Sequence, residues 1–299
     1  MSIGYHIVVC GSIVPDPLQT LEPVSGPQGP ALKNEMMLPA VLDPWAAHAL
    51  YEAAHLAKNT PGSKVWLVSL APKAKLQQVM MTVAQKVPFE LVALDGPAGG
   101  FMEASETAAA LAEAVQAISG LDRSRLLLFG GWESASRGAG ATMQMVGERL
   151  GIRDQFQGVD RLTVREDGSF EVLERIEGGK HQVSACVGPP AVVGWATGSL
   201  PEPPNNPQVG MANMRVIMPS LQRASMATAS LAYRAWANSG PETPRNRAAP
   251  EWAICPAAFS ISPPTRPAIN AAPPSPSANP LAAPSASKAG VASEPSGSA

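Results

Sequence analysis

The chain is short of charge. Asp, Glu, Lys and Arg make up 15% of its 299 residues, against about a quarter in an average soluble domain, and the net charge is −2. A protein that grips nucleic acid by its phosphates needs a basic surface, so that class is excluded. Cysteine is scarce as well: Cys10, Cys186 and Cys255 stand far apart with no CxxC spacing. This argues against a metal site and fits a reducing compartment. No apolar run approaches the roughly 20 residues that a membrane-spanning helix requires. The opening MSIGYHIVVCGSIV has no basic leader and no clean cleavage site, and reads as a first buried strand. The expectation is a cytoplasmic protein with no membrane insertion. Walker A and GxGxxG fingerprints are missing, as is any supported Ser-His-Asp or Cys-His set. His48 and His55 share a helix face but have no acid or cysteine at ligand spacing, and read as surface or boundary residues. No catalytic and no metal-ligating residue is expected.

What is present is apolar and alternating. Hydrophobic residues make up 45% of the chain, ample for a core. Apolar runs HIVVCGSIV (6–14), KVWLVSL (64–70), FELVAL (89–94) and RLLLFG (125–130) alternate with helical patterns at 43–59, 73–86 and 106–119. In the first helix Asp43 is placed as N-cap with Pro44 at the first helical position. Strand–helix alternation of this kind predicts a parallel sheet covered on both faces. Further on, VDRLTVRED (159–167) and FEVLERIEGGKHQVSACV (170–187) alternate in period two around Gly178 and Gly179, which predicts an appended hairpin. After residue 197 proline becomes frequent, and SLPEPPNNPQ (199–208) suits neither a central strand nor a helix interior. One more helix is expected at about 219–237. From about Pro267 the chain is almost wholly Pro, Ala and Ser, a composition that predicts disorder.

The stretch GGWESASRGAGATMQM (130–145) joins an apolar strand to an amphipathic segment. Glycines let a backbone approach an anion, and a helix N-terminus supplies N–H groups and favourable partial charge. RGAGAT (137–142) therefore reads either as a phosphate cradle, with Arg137 adding charge and Thr142 a hydroxyl, or as a surface turn.

The order of these segments resembles the beta subunit of electron transfer flavoproteins. IVVCGSIVPDP (7–17) is similar to that family's first strand and VPD turn, and DPWAAHALYEAAHLAK to its Asn-Pro-aromatic helix start, with Asp43 in place of Asn. VWLVSLAPKAKLQQVMMTVAQ (65–85), the GlyGly hairpin ending in PAVV, MPSLQRA (218–224) and FSISPPTR (259–266) follow in family order. The glycine-rich loop departs: the family's two spaced aspartates are missing, as is the Gln after Gly140. The lysines that usually follow the proline turn are missing too, so the chain resembles a divergent member. The resemblance implies an α/β fold, a three-layer doubly wound mostly parallel sheet of the adenine-nucleotide-hydrolase-like kind, with an added β-hairpin and a C-terminal arm. It implies a nucleotide-binding domain at 1–226, a partner-embracing arm at 227–266 and a tail at 267–299. It further implies an AMP site formed by Cys10, Asp43, Pro44, Trp45, Ala46, Leu70, Arg137, Gly138, Ala139, Gly140, Ala141 and Thr142. Cys10, Leu70 and Trp45 could equally be packing residues, and Asp43 a simple N-cap.

The implied function is that of an electron carrier rather than an enzyme, one subunit of a heterodimer. The alpha partner would hold most of the FAD, and electrons would pass from flavin dehydrogenases to a quinone oxidoreductase or another acceptor. Two rivals remain: a degenerate nucleotide-binding or scaffolding protein of the same fold without electron transfer, and a small-molecule enzyme of the related hydrolase-like fold.

Overall fold

The computed structural model describes residues 4–26, 29–96, 102–136, 138 and 140–226. In chain order its elements are β1 (His6–Cys10), β2 (Ile13–Pro15), β3 (Pro23–Gly26), β4 (Gly29–Leu32), β5 (Ala40–Leu42), α1 (Pro44–Asn59), β6 (Lys64–Ala71), α2 (Lys73–Val83), β7 (Glu90–Asp95), α3 (Ala104–Gln116), β8 (Leu126–Gly131), α4 (Thr142–Arg149), β9 (Asp154–Val164), β10 (Phe170–Ile176), β11 (Lys180–Cys186), β12 (Ala191–Trp195), α5 (Pro207–Gln222) and β13 (Ser225–Met226).

Among the described residues the main sheet has the order β11-β10-β9-β12-β8-β1-β6-β7-β13. The central strands are parallel: β1 pairs with β6 on one side and with β8 on the other. Their residues are apolar on both faces, which only a sheet covered twice can bury. One face carries α1, α2 and α5, where Leu50, Met80 and Ile217 pack with Leu67, Phe129 and Trp195. The other carries α3 and α4, where Val115 and Val146 pack with Val8, Val68 and Leu128. The result is a three-layer α/β fold, as the alternation predicts. Leu50 is wholly buried, and burial of that kind contributes about 1.5–3 kcal/mol per side chain.

The hairpin forms as expected. β10 and β11 pair antiparallel from Phe170↔Cys186 to Ile176↔Lys180, and Gly178 and Gly179 turn the chain with φ of 73° and 70°. Asp160 on β9 ties this sheet edge together, accepting from Arg175 Nε at 2.6 Å, His181 Nε2 at 3.0 Å and Thr197 Oγ1 at 3.1 Å. These partners hold its carboxyl below the usual range in spite of partial burial.

Two expectations fail in detail. The run 6–14 is not one strand: β1 stops at Cys10, and β2 leaves the main sheet to pair antiparallel with β5. The connection that follows β2 holds a small hairpin of β3 and β4. The helix expected at 219–237 begins earlier, at Pro207. Asn206 caps it, its Oδ1 accepting from Gln208 N at 3.0 Å and Val209 N at 3.4 Å, and Pro207 occupies the first turn, where no N–H is needed. Buried Asn213 then fixes α5 by donating to the carbonyls of Ala84 and Val87, both at 2.7 Å. Residues 227–237, the expected arm at 227–266 and the tail at 267–299 lie outside the described residues.

Candidate functional site

The strand numbering reverses at β1: the chain moves outward through β6 and β7, then returns to β8 on the opposite side of β1. Open α/β sheets leave a crevice at the carboxyl ends of the strands at such a point. A cavity of about 190 Å³ lies there. Cys10, Gly11 and Ser12 after β1, Leu70 and Ala71 at the end of β6, the loop after β8, and Thr142 and Met143 of α4 all line it.

Of the residues singled out from the sequence, Cys10, Asp43, Ala46, Leu70, Gly140 and Thr142 line this cavity. Pro44 and Trp45 begin α1 beside it without lining it, and Gly138 and Ala141 are likewise not in its wall. Arg137 and Ala139 lie outside the described residues. Burial pushes the Cys10 thiol up to about 12, so it stays protonated and packs as a small apolar group.

Asp43 does two jobs. As N-cap of α1 its Oδ1 accepts from Trp45 N at 3.1 Å. Its Oδ2 reaches across the crevice and accepts from Ser134 Oγ and Ala135 N, both at 2.9 Å. Burial raises its carboxyl above the ordinary value, against these hydrogen bonds, which favour the charged form. The carboxylate is thus a clamp on the loop, and its oxygens are already engaged.

The loop divides into two halves. In the first, the N–H of Ser136 goes to Ser134 Oγ at 3.3 Å and that of Gly138 to the Ser134 carbonyl at 2.7 Å. Gly138 adopts φ 66°. In the second half, the N–H groups of Gly140, Ala141, Thr142, Met143 and Gln144 have no acceptor among the described residues. Ala141 is the N-cap of α4 and has no side chain to cap with. An uncapped helix start of this kind leaves donors for an anion. A Cβ on Gly140 would lie 2.5 Å from the Trp132 carbonyl, so a side chain there would displace the loop itself. Trp132 also lines the cavity, and its indole N–H is buried without a partner among the described residues.

A model of the electron transfer flavoprotein domain matches residues 34–219, more than half of the chain. The chain belongs to the electron transfer flavoprotein domain family. A search of curated proteins gives no match. Family membership accounts for the three-layer sheet and makes a role in flavin-linked electron transfer the frame for this crevice.

Sequence reasoning missed Gly11, Ser12, Lys75, Thr107 and Ser134 as parts of the wall. The signal was positional: each of Gly11, Ser12 and Ser134 follows the carboxyl end of a strand, where such crevices form. The wall carries Glu35, Asp43 and Glu133 but, among the described residues, Lys75 as its one cation. Among the described residues no group of His, Cys, Asp and Glu is arranged to hold a metal, and no helix is long and apolar enough to cross a membrane.

Proposed function

We propose that this chain is a beta-type subunit of a heterodimeric electron transfer flavoprotein, and that its crevice holds the phosphate end of AMP. The observation that carries the reading is the uncapped start of α4, whose N–H groups have no acceptor among the described residues and border a crevice at the sheet's reversal point. A phosphate fits that donor set: the backbone of residues 140–144 would hold it, with the Thr142 hydroxyl beside it and Arg137 supplying charge. The enclosed volume of about 190 Å³ is below the roughly 300–1,000 Å³ usual for a ligand pocket. A whole nucleotide therefore enters with its phosphate at the lip rather than fully enclosed.

In this reading the chain is an electron carrier subunit and supplies no acid or base. Its alpha partner holds most of the FAD, and flavin dehydrogenases and a quinone oxidoreductase stand on either side of the pair. FAD carries the electrons when bound; this chain shapes and shields the site. Residues 227–266 serve as the arm towards the partner. The tail at 267–299 is dispensable, so its deletion leaves the thermal midpoint and partner binding nearly unchanged.

The second reading is a nucleotide-binding or scaffolding protein of the same fold without electron transfer. The absence of the family's two spaced aspartates from the loop after β8 favours it. Co-expression with the alpha subunit separates the two. A flavin absorption band and AMP released on denaturing the complex support the first reading. AMP without flavin supports the second, and neither AMP nor flavin sinks both. The single chain purified alone is expected to retain no stoichiometric FAD, since no dinucleotide fingerprint occurs in it.

A further inference from the structure

The opposite end of the sheet carries a second, larger cavity, of about 840 Å³. It lies between the last turns of α1, the amino ends of β6 and β7, and the proline-rich connection that leads from β12 to α5. That connection is fixed at several points. Buried Glu52 on α1 accepts from Ser199 N at 2.6 Å and from Leu200 N at 3.2 Å. Lys86 pairs with Glu202 at 2.7 Å and donates to the Pro203 carbonyl at 3.1 Å. Asn206 N donates to the Gln85 carbonyl at 2.9 Å. The cavity wall is therefore held in place by hydrogen bonds on both flanks.

The lining is largely apolar, with rings from Tyr51, Phe89, Pro88 and Pro201, and His55 stands among them. Its charges are unevenly spent. Glu90 accepts from Trp66 Nε1 at 3.0 Å, and Lys86 is matched by Glu202. Lys58 and Lys64 stand exposed at the cavity's rim; Lys64 Nζ lies over the Trp66 ring, 6.0 Å from its centroid, and no carboxylate lies within ion-pairing distance of either lysine among the described residues. On a chain of net charge −2 this is a local positive excess. Tyr51 adds a polar group: it is 8% exposed, and its hydroxyl has no hydrogen-bond partner among the described residues and is not sealed from solvent. Burial, with Glu202 nearby, pushes that hydroxyl up to about 12, so it remains a neutral donor.

We propose that this cavity is a binding site for a small aromatic carboxylate, its ring against Tyr51, Phe89 and Pro201 and its charge met by Lys58 and Lys64. An apolar body needs such walls, and a carboxylate left at the rim gains from cations that no acid neutralises. The site is separate from the crevice at the carboxyl ends of the strands, with which it shares no lining residue.

The test uses the full-length chain and naphthoate as probe, followed by calorimetry and by the probe's fluorescence. Saturable one-to-one binding is expected, and naphthamide, its uncharged isostere, should bind about tenfold more weakly. The double variant Lys58→Met, Lys64→Met keeps both apolar stems and should lose about tenfold in affinity. Lys33→Met, remote from the cavity, should lose none, and added AMP should not displace the probe. Absence of saturable binding overturns the proposal, as does equal binding of naphthamide. Unchanged affinity in the double variant, or displacement by AMP, likewise overturns it. The comparison of naphthoate with naphthamide on the wild-type chain needs no variant to fold.

Discussion

Residues 134–138 and residues 140–144 are halves of one loop with opposite economies of hydrogen bonding. In the first half the N–H groups of Ala135, Ser136 and Gly138 go to Asp43, Ser134 Oγ and the Ser134 carbonyl. In the second half the N–H groups at the start of α4 have no acceptor among the described residues. A glycine-rich sequence therefore does not make a cradle along its whole length. The clamped half is tied to Asp43, while the donors at the start of α4 have no acceptor among the described residues.

The change that should disturb this arrangement most is Gly140→Val. Its Cβ would lie 2.5 Å from a backbone oxygen, a contact that cannot be relieved by turning a side chain, so the open half must move. Nucleotide released from the denatured complex should fall below detection, with an accompanying drop in thermal midpoint. A full complement of nucleotide in this variant would place the phosphate elsewhere. Asp43→Ala attacks the clamped half instead. It removes the cap of α1 and leaves Ala135 N and Ser134 Oγ without their acceptor, for a cost of about 2–4 kcal/mol in stability. Denaturant unfolding measures it, and a change under about 0.5 kcal/mol, the range of an ordinary surface substitution, would show that the clamp is not what holds the loop.

Arg137→Ala sharpens the comparison by separating side-chain charge from backbone donors. It deletes one charge and leaves the backbone donors in place, so nucleotide affinity should weaken by about 1.5–3 kcal/mol where the contact is direct, with no change in thermal midpoint. If Arg137→Ala abolishes binding as completely as Gly140→Val, the side chain and not the backbone is the anion site.

How far the sequence exposes these features depends on the range of the interaction behind each. The parallel core was legible because burial on both faces leaves continuous apolar runs such as LLLF at 126–129. The start of α1 was legible because Asp43 and Pro44 act within one turn. The hairpin was legible because Gly178 and Gly179 sit between alternating strands. The bond from Asp43 to Ala135 spans 92 positions and leaves no local pattern. The start of α5 was missed for a different reason: proline was weighed across 199–208 as a breaker, although Pro207 falls at the one helical position that favours it. The family resemblance, carried by segments in order rather than by any single motif, is met by the match over 34–219.

The smallest expected effect is a matter of sign. Asp43 has a folded-state carboxyl raised by burial above its ordinary value, so between the ordinary value and the raised one the folded chain binds more protons than the unfolded chain. Stability then falls as pH rises through that window, because the unfolded chain ionises there first, and the cost is complete once pH exceeds the folded value. This runs opposite to a carboxylate held mainly by partners, such as Asp160, whose lowered value makes stability fall as pH drops. Asp43→Asn removes the titration while keeping an acceptor for Trp45 N. The difference in unfolding free energy between wild type and Asp43→Asn, followed from acid to neutral pH, should therefore move in favour of the variant as pH rises. A difference that moves towards wild type over the same range would mean that the hydrogen bonds from Ser134, Ala135 and Trp45 outweigh burial at this carboxylate. The clamped half of the loop would then be held by charge, and the contrast with the open half would rest on an anion already in place.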